Sequence, residues 1–354
     1  MDSITQAVLG AAVGEAVAGR QAGRKAALWG AVLGTLPDLD VFVAPFVSEA
    51  QALAIHRSAT HSLFFSFVAA PLVGFLIARL HRKAGISWQR WSVLAFFAFV
   101  THLAIDAFTT YGTQVFWPFS DYPVSIGSIF IIDPLYTVPL AIGLVVALWL
   151  PHTPRRRRIA NYAGLAVSTL YLLVTFVNKQ VAESAFKDAL ARADIPAERL
   201  LTTPMPLNSI LWSGMALHED TLYVGLYSLF DGNRSIAFER IPRHSDLLMI
   251  YQGDPVLERL FWFSRGYYTV SEQEGALIFH DVRFGRADLW LGGDGLYAFS
   301  FELLPEPGNP ERLQDFRQQY VSFEIDRSLL ERYKRRLLGN EGPQSQEIYP
   351  AVLH

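Results

Sequence analysis

Three short stretches of this sequence carry the residue types that bind metal ions. In Pro37-Asp38-Leu39-Asp40 the proline ends or kinks a helix, and carboxylates two positions apart can converge on a cation from the irregular turn. His56 and His61 fall in His56-Arg57-Ser58-Ala59-Thr60-His61-Ser62. Five apart, they do not share a helix face, but a turn running into a helix start lets both imidazoles face one metal. His102 and Asp106, inside an apolar run, lie one turn apart on the same helix face.

Taken singly, each stretch also reads as something ordinary: a helix end meeting water, a hydrated loop, or a buried His–Asp hydrogen bond. Together they supply a mixed nitrogen and oxygen set suited to Zn²⁺ or another first-row divalent ion, with donors enough for one ion or two. The candidate ligands are Asp38, Asp40, His56, His61, His102 and Asp106. One of these carboxylates, or Asp133 at the start of a later helix, is the candidate general base. Arg57, the one cation in the connections 44–61 and 111–130, is the candidate to hold a phosphate or steady an anionic transition state. The chain has no cysteine, which excludes thiolate ligands, thiol nucleophiles and disulfides.

The elements that must position these residues read as membrane helices. Six apolar segments, roughly 4–19, 26–43, 62–80, 91–110, 131–150 and 159–177, have the length and composition of spans. Gly10 and Gly14, then Gly30 and Gly34, are small residues four apart that allow close helix contact in lipid. No basic region or cleavage site marks a signal peptide, so the first helix is expected to stay in the mature protein. Basic residues follow the first, third and fifth segments: Arg20, Arg24 and Lys25; Arg82, Lys83 and Arg90; and the run Arg155 to Arg158, read as a topology anchor. Short basic loops mark the cytoplasmic side. Strict alternation then puts all three motifs, with Gln6 and Asp133, at the outer ends of their helices. Independent accidents would have scattered them over both faces.

Composition divides the chain. Of 354 residues 51% are hydrophobic and 18% charged; residues 1–180 carry 13 Lys/Arg against 8 Asp/Glu, and the remainder 17 against 25. One soluble globular domain, a disordered chain and a nucleic-acid binder with a basic surface are excluded. The expected architecture is an α-helical integral membrane domain of about six transmembrane helices (1–177), a helical connector (178–204), a β-rich extracytoplasmic domain (205–340) and a polar tail (341–354). Its strands are read at Thr221–Leu229, Ser235–Ile241, Leu247–Gln252, Tyr267–Val270, Ala276–Asp281, Tyr297–Glu302 and Tyr320–Ile325, with turns at Asp231-Gly232-Asn233 and Gly292-Gly293-Asp294-Gly295. His280-Asp281-Val282-Arg283 reads as a strand end with a buried Asp–Arg pair, and Trp212, Trp262 and Trp290 as core. His218, His244 and His354 are read as surface residues, and His81 and His152 as lacking partners.

Residues 1–150 resemble the bacterial membrane-bound metal-dependent hydrolases, the YdjM-like inner-membrane family. The matching stretches are Met1-Asp2-Ser3-Ile4-Thr5-Gln6 with the Gly/Ala helix after it, Pro37–Asp40, His56–Ser62, His102–Asp106 leading into Thr109-Thr110-Tyr111-Gly112-Thr113, Trp117-Pro118, and Ile132-Asp133-Pro134. Many relatives carry histidine directly after the early threonine, where this chain has Gln6. If that histidine is a ligand, Gln6 weakens one coordination position. The expected activity is metal-assisted hydrolysis of an ester or phosphoester at the outer membrane interface, with a lipid or envelope compound as substrate, membrane lipids as surroundings and no nucleic-acid partner. The rivals are a metal transporter, disfavoured because the inner helix halves carry almost no polar route, and a non-catalytic anchor braced by a structural metal.

Overall fold

Four glycines bring the first two helices closer together than any side chain would allow. In α1 (Ser3–Ala22) and α2 (Arg24–Thr35), a Cβ added at Gly10 would lie 2.2 Å from the carbonyl oxygen of Gly30, and one at Gly14 would lie 2.2 Å from that of Ala26. A Cβ at Gly34 would meet the carbonyl of Gln6 at 2.6 Å. The two helices therefore pack backbone against backbone, antiparallel, reversed at Gly23 in a left-handed conformation (φ 61°). This is the use the sequence assigns to these glycines.

The computed structural model describes residues 1–150, 154–233, 235–286, 297–320 and 327–339. The chain divides into two compact units, Met1–Pro45 with Ala54–Phe176, and Phe46–Leu53 with Val177–His354.

In the first unit, α2 stops at Thr35 because Pro37 has no N–H to donate, and a 3-10 helix (Pro37–Phe46) leaves at a bend of 41°. A short helix α3 (Glu49–Ile55) and a 3-10 turn (Ala59–His61) lead to α4 (Leu63–Leu80), capped by Ser62 Oγ on the Phe65 N–H at 3.0 Å. Next come α5 (Trp88–Phe108) and α6 (Pro134–Trp149). Helix α7 (Pro154–Arg192) runs 39 residues without a break. Trp91, Leu94, Ala95, Ala98 and Phe99 of α5 form the centre of this unit with Ala18, Ala26, Leu33, Ala70 and Ile77.

Among the described residues, α4, α5 and the stretch Arg155–Arg192 of α7 are long and apolar enough to cross a bilayer. The bent pair Arg24–Thr35 and Pro37–Phe46 makes a fourth if counted as one span. The sequence suggests six. The other two segments are helical as well, but α1 is diluted by Gly, Ala, Glu15 and Arg20, and α6 has only 16 residues, about 24 Å at about 1.5 Å per residue.

In the second unit two antiparallel four-stranded sheets share a core. The first comprises β1 (Arg199–Pro204), β2 (Leu211–His218), β3 (Thr221–Ser228) and β4 (Glu239–Pro242), in that order. The second comprises β5 (Tyr268–Gln273), β6 (Ala276–Arg286), β7 (Tyr297–Glu306) and β8 (Asn309–Gln319). Met215, Leu222 and Val224 of one sheet meet Tyr267, Val282 and Tyr297 around the other. Gly214 leaves room for the Phe186 ring, which a Cβ there would meet at 2.4 Å. Helices α8 (Pro255–Ser264) and α9 (Arg327–Leu337) complete the unit.

Several local expectations change. Leu247–Gln252 is not a strand but lies in a 3-10 helix, Ser245–Tyr251, whose buried residues Leu248 and Tyr251 recur every three positions. Strands β1, β2 and β8 carry no strict polar–apolar alternation and escape a periodicity reading: β2 is buried along nearly its whole length, and β8 is mostly exposed. His81 does have a partner, accepting from Trp29 Nε1 at 2.9 Å. Asp281 and Arg283 form a buried pair (Nη2–Oδ2 2.6 Å) and Trp212 is core. Trp290, the turn Gly292–Gly295, most of Tyr320–Ile325, His152 and the tail 341–354 lie outside the described residues.

His280 ties the second sheet together: its ring nitrogens contact Ser271 Oγ and Ser300 Oγ, both at 2.8 Å. Burial pushes its pKa down to about 4, so the folded protein keeps it neutral. Because the unfolded chain takes up the proton first as pH falls through about 6.5, stability is full above that value and is lost progressively toward about 4. Denaturant unfolding of the β unit should therefore lose roughly 2 kcal/mol between pH 7 and pH 5, a slope absent from His280→Gln. In the helical unit, Gly10→Leu must drive α1 from α2 and should lower the thermal midpoint by several degrees. Overpacking of this kind costs about 1–3 kcal/mol.

Candidate metal centre

Close packing of α1 and α2 leaves the Gly34 carbonyl beside α5, where it accepts from His102 Nδ1 at 2.6 Å. A carbonyl can only accept, so Nδ1 carries a proton, which leaves Nε2 as the nitrogen able to offer a lone pair to a metal. That Nε2 lies 3.1 Å from His61 Nε2, 3.5 Å from Asp38 Oδ1 and 3.6 Å from Asp106 Oδ2. His61 Nε2 in turn lies 3.3 Å from Asp38 Oδ1 and 3.6 Å from Asp106 Oδ2.

These four donor atoms, from Asp38, His61, His102 and Asp106, all fall within 4.8 Å of one another and could hold a metal ion. A tetrahedral ion with bonds of about 2.0–2.1 Å separates its ligands by about 3.3 Å, close to these five separations of 3.1–3.6 Å, while the group as a whole lies within 4.8 Å. Asp106 Oδ2 is buried without a hydrogen-bond partner, although it faces two imidazoles. Arg57 Nε at 3.4 Å gives it an ion pair but no hydrogen bond. A carboxylate oxygen left without one is costly in the interior, and a cation at the centre of the four atoms would supply the missing partner. The residues present thus fit a four-coordinate divalent ion.

Each donor reaches this point for a local reason. Asp38 follows the break at Pro37, which turns the chain away from the α2 axis. His61 ends the 3-10 turn just before the α4 cap. His102 and Asp106 share the α5 face packed toward α1 and α2. Asp106 Oδ1 accepts from Gln6 Nε2 at 2.9 Å and from the Met1 amino group. Gln6 therefore contacts the carboxylate rather than the centre of the cluster.

Two other expected ligands stand outside the four-atom group. Asp40 Oδ2 sits 3.3 Å from His61 Nδ1, the nitrogen facing away from the cluster, and accepts the Arg57 backbone N–H at 2.9 Å. Its Oδ1 is 3.0 Å from His56 Nδ1. Asp40 thus orients His61 from behind, and His56 lies one residue farther out, against Tyr111.

Arg57 is buried. Its Nε lies 3.4 Å from Asp106 Oδ2, its Nη1 donates to Thr109 Oγ1 at 3.2 Å, and its guanidinium lies over Tyr111 at 4.8 Å. The backbone there is left-handed (φ 57°), a conformation costing a non-glycine residue about 1 kcal/mol, held by the Asp40 carboxylate. Asp133 is not brought to the cluster. Its carboxylate caps α6 through the Leu135 N–H (3.0 Å) and accepts from the Tyr171 hydroxyl (2.8 Å). Thr109 and Tyr111 stand in a stretch that carries the family resemblance but show no role of their own in the sequence, because hydroxyls are common; the Gly34 carbonyl carries no signal at all, because backbone oxygens have none.

The fold and the site define a helical membrane protein with a buried His/Asp cluster that could take a metal ion. The profile of the family described as YdjM inner membrane protein matches residues 1–182, and the chain belongs to that family. It is 37% identical over 94 residues to inner membrane protein YbcI of Escherichia coli (strain K12), an alignment covering 26% of this chain and 53% of YbcI. The chain therefore matches about half the length of this curated relative. No solved structure matches the chain.

The arrangement separates ligands from support. In apoprotein titrated with a divalent metal, His61→Ala and His102→Ala should abolish binding, whereas Asp40→Asn should weaken it about 10–100-fold, the usual cost of losing a partner that orients a ligand histidine.

Proposed function

We propose that this protein is a multi-pass inner-membrane metal-dependent hydrolase acting on an ester or phosphoester. The observation that carries the reading is the convergence of two imidazoles and two carboxylates within 4.8 Å at the ends of apolar helices. Nitrogen and oxygen donors at these spacings favour Zn²⁺, and a divalent ion held there supplies Lewis acidity and makes water a nucleophile near neutral pH.

The chain's own residues complete the chemistry. Asp38, with 21% of its side chain exposed, is the carboxylate on the open side of the cluster; Asp106, His61 and His102 are fully enclosed. Water and substrate would enter past Asp38. The Asp40–His56 pair, with His56 27% exposed, is placed to carry a proton away from that entrance. Arg57 holds an anionic oxygen of the substrate, an attraction that a water-poor site strengthens. Asp133 serves as a helix cap in this reading and not as the general base.

Positive residues in the loops after the first, third and fifth apolar segments support a topology of six helices in the membrane, with the cluster and the β unit outside the cytoplasm. A site at that interface favours a lipid, a lipid-linked compound or an envelope fragment as substrate. One observation favours a second reading. Four protein donors gathered within 4.8 Å can close a coordination shell, as in a structural site that braces helices.

Elemental analysis of detergent-purified protein, combined with hydrolysis assays on lipid and phosphate esters, separates these readings. The expected result is about one divalent ion per chain, lost in His61→Ala and His102→Ala. Arg57→Ala should keep its metal and lose about 10²-fold in hydrolysis. Metal without hydrolysis of any such ester, in wild type and Arg57→Ala alike, would support the structural site. No metal even after reconstitution would overturn both readings.

A further inference from the structure

A second polar site lies far along α1 from the metal cluster. A cavity of about 1140 Å³ opens between the C-terminal end of α1 and the first turns of α7, and Arg20, Arg155, Arg157 and Arg158 line it. Among the described residues that line it, Glu15 is the only acid. Both of its oxygens are taken by Arg157, through Nε at 2.6 Å and Nη2 at 2.5 Å, in a buried two-point pair. Gly19 makes room for that carboxylate, since a Cβ there would lie 2.4 Å from its carbon. The charge of Arg157 is thus consumed inside the unit. Arg20, Arg155 and Arg158 remain exposed around the opening, with no second acid among the lining residues to offset them.

Three guanidiniums lining one cavity from two helices, without a second acid among the lining residues, are favoured by an anion that joins them. Their planar forks of N–H donors match phosphate oxygens. On the α7 side the lining continues into apolar surface: Ile159 is 59% exposed and Tyr162 47%, and both lie on the helix that carries the apolar stretch of α7. A polar anionic head beside an apolar wall is the chemistry of an amphiphile, and basic pockets at helix ends on the positively charged side of membrane proteins suit anionic head groups.

We propose that this cavity binds a phosphate-bearing anion, and that its source is the head group of an anionic membrane lipid. The phosphate is held by Arg20, Arg155 and Arg158, and an acyl chain runs along Ile159 and Tyr162. The Glu15–Arg157 pair shapes the floor without touching the ligand's charge. The site is independent of the metal cluster, so either can fail alone.

The test uses the full chain in detergent, probed with phosphatidylglycerol, phosphatidylcholine and inorganic phosphate, and read by native mass spectrometry and by the thermal midpoint. Wild type should retain phosphatidylglycerol well over phosphatidylcholine. Arg155→Gln/Arg158→Gln should weaken that retention at least about tenfold, as should Arg20→Gln to a smaller extent from the other helix. Arg156→Gln, exposed but outside the cavity lining, should behave as wild type. Unchanged thermal midpoints without lipid show that the variants are folded. Inorganic phosphate binding as tightly as the lipid, with the same arginine dependence, would overturn the lipid source and assign the site to soluble phosphate compounds. Equal loss in Arg156→Gln, or no loss in the double variant, would overturn the site and leave only diffuse attraction to a basic surface.

Discussion

The close approach of α1 and α2 at Gly10, Gly14, Gly30 and Gly34 is the constraint on which the candidate metal centre depends. Helix backbones this near leave no space for any side chain, so register and distance are set together. One consequence is that the Gly34 carbonyl sits at the surface of the pair, in reach of His102 Nδ1. Another is that Gln6, on the opposing helix, reaches Asp106. Both contacts hold α5 groups that belong to the cluster. Widening the helix pair by the size of one methyl group would move two supports of the site at once.

Around that pair the polar groups are arranged in depth. His61 and His102 each use one nitrogen toward the cluster and the other toward an anchor, Asp40 for the first and a backbone carbonyl for the second. Asp40 also holds the left-handed Arg57 backbone, so one carboxylate orients a histidine of the cluster and a buried cation that, with the Met1 amino group, faces Asp106. Buried charge of this density is expensive in an apolar unit and stays only where each group finds an opposite charge or a donor. Glu15 and Arg157 solve the same problem at the far end of α1 by pairing with each other, which leaves neighbouring arginines uncompensated.

Much of the site was legible because chemistry in an apolar helix stands out. A histidine and an aspartate four apart inside α5, and an Asp-X-Asp just after a proline, have no cheap reason to be there. Asp38, His61, His102 and Asp106 do come together. What the sequence could not rank was which donors face the centre and which stand behind. Asp40 and Asp38 are two residues apart in a 3-10 turn, and only the bend at Pro37 decides that one faces the cluster and the other the back of His61.

The sequence by itself determined the helical apolar first half, the small-residue seam and the β-rich second half, because hydrophobic period, glycine spacing and strand alternation are local properties. It also carried the family resemblance that the profile match bears out. The tertiary structure decided the rest: that His102 is held by a glycine carbonyl, that Asp133 is a helix cap, that Arg157 turns inward to Glu15, and that Leu247–Gln252 winds as a 3-10 turn. Each of these depends on a partner distant in sequence or on local burial, and such partners become visible only when packing brings the segments together.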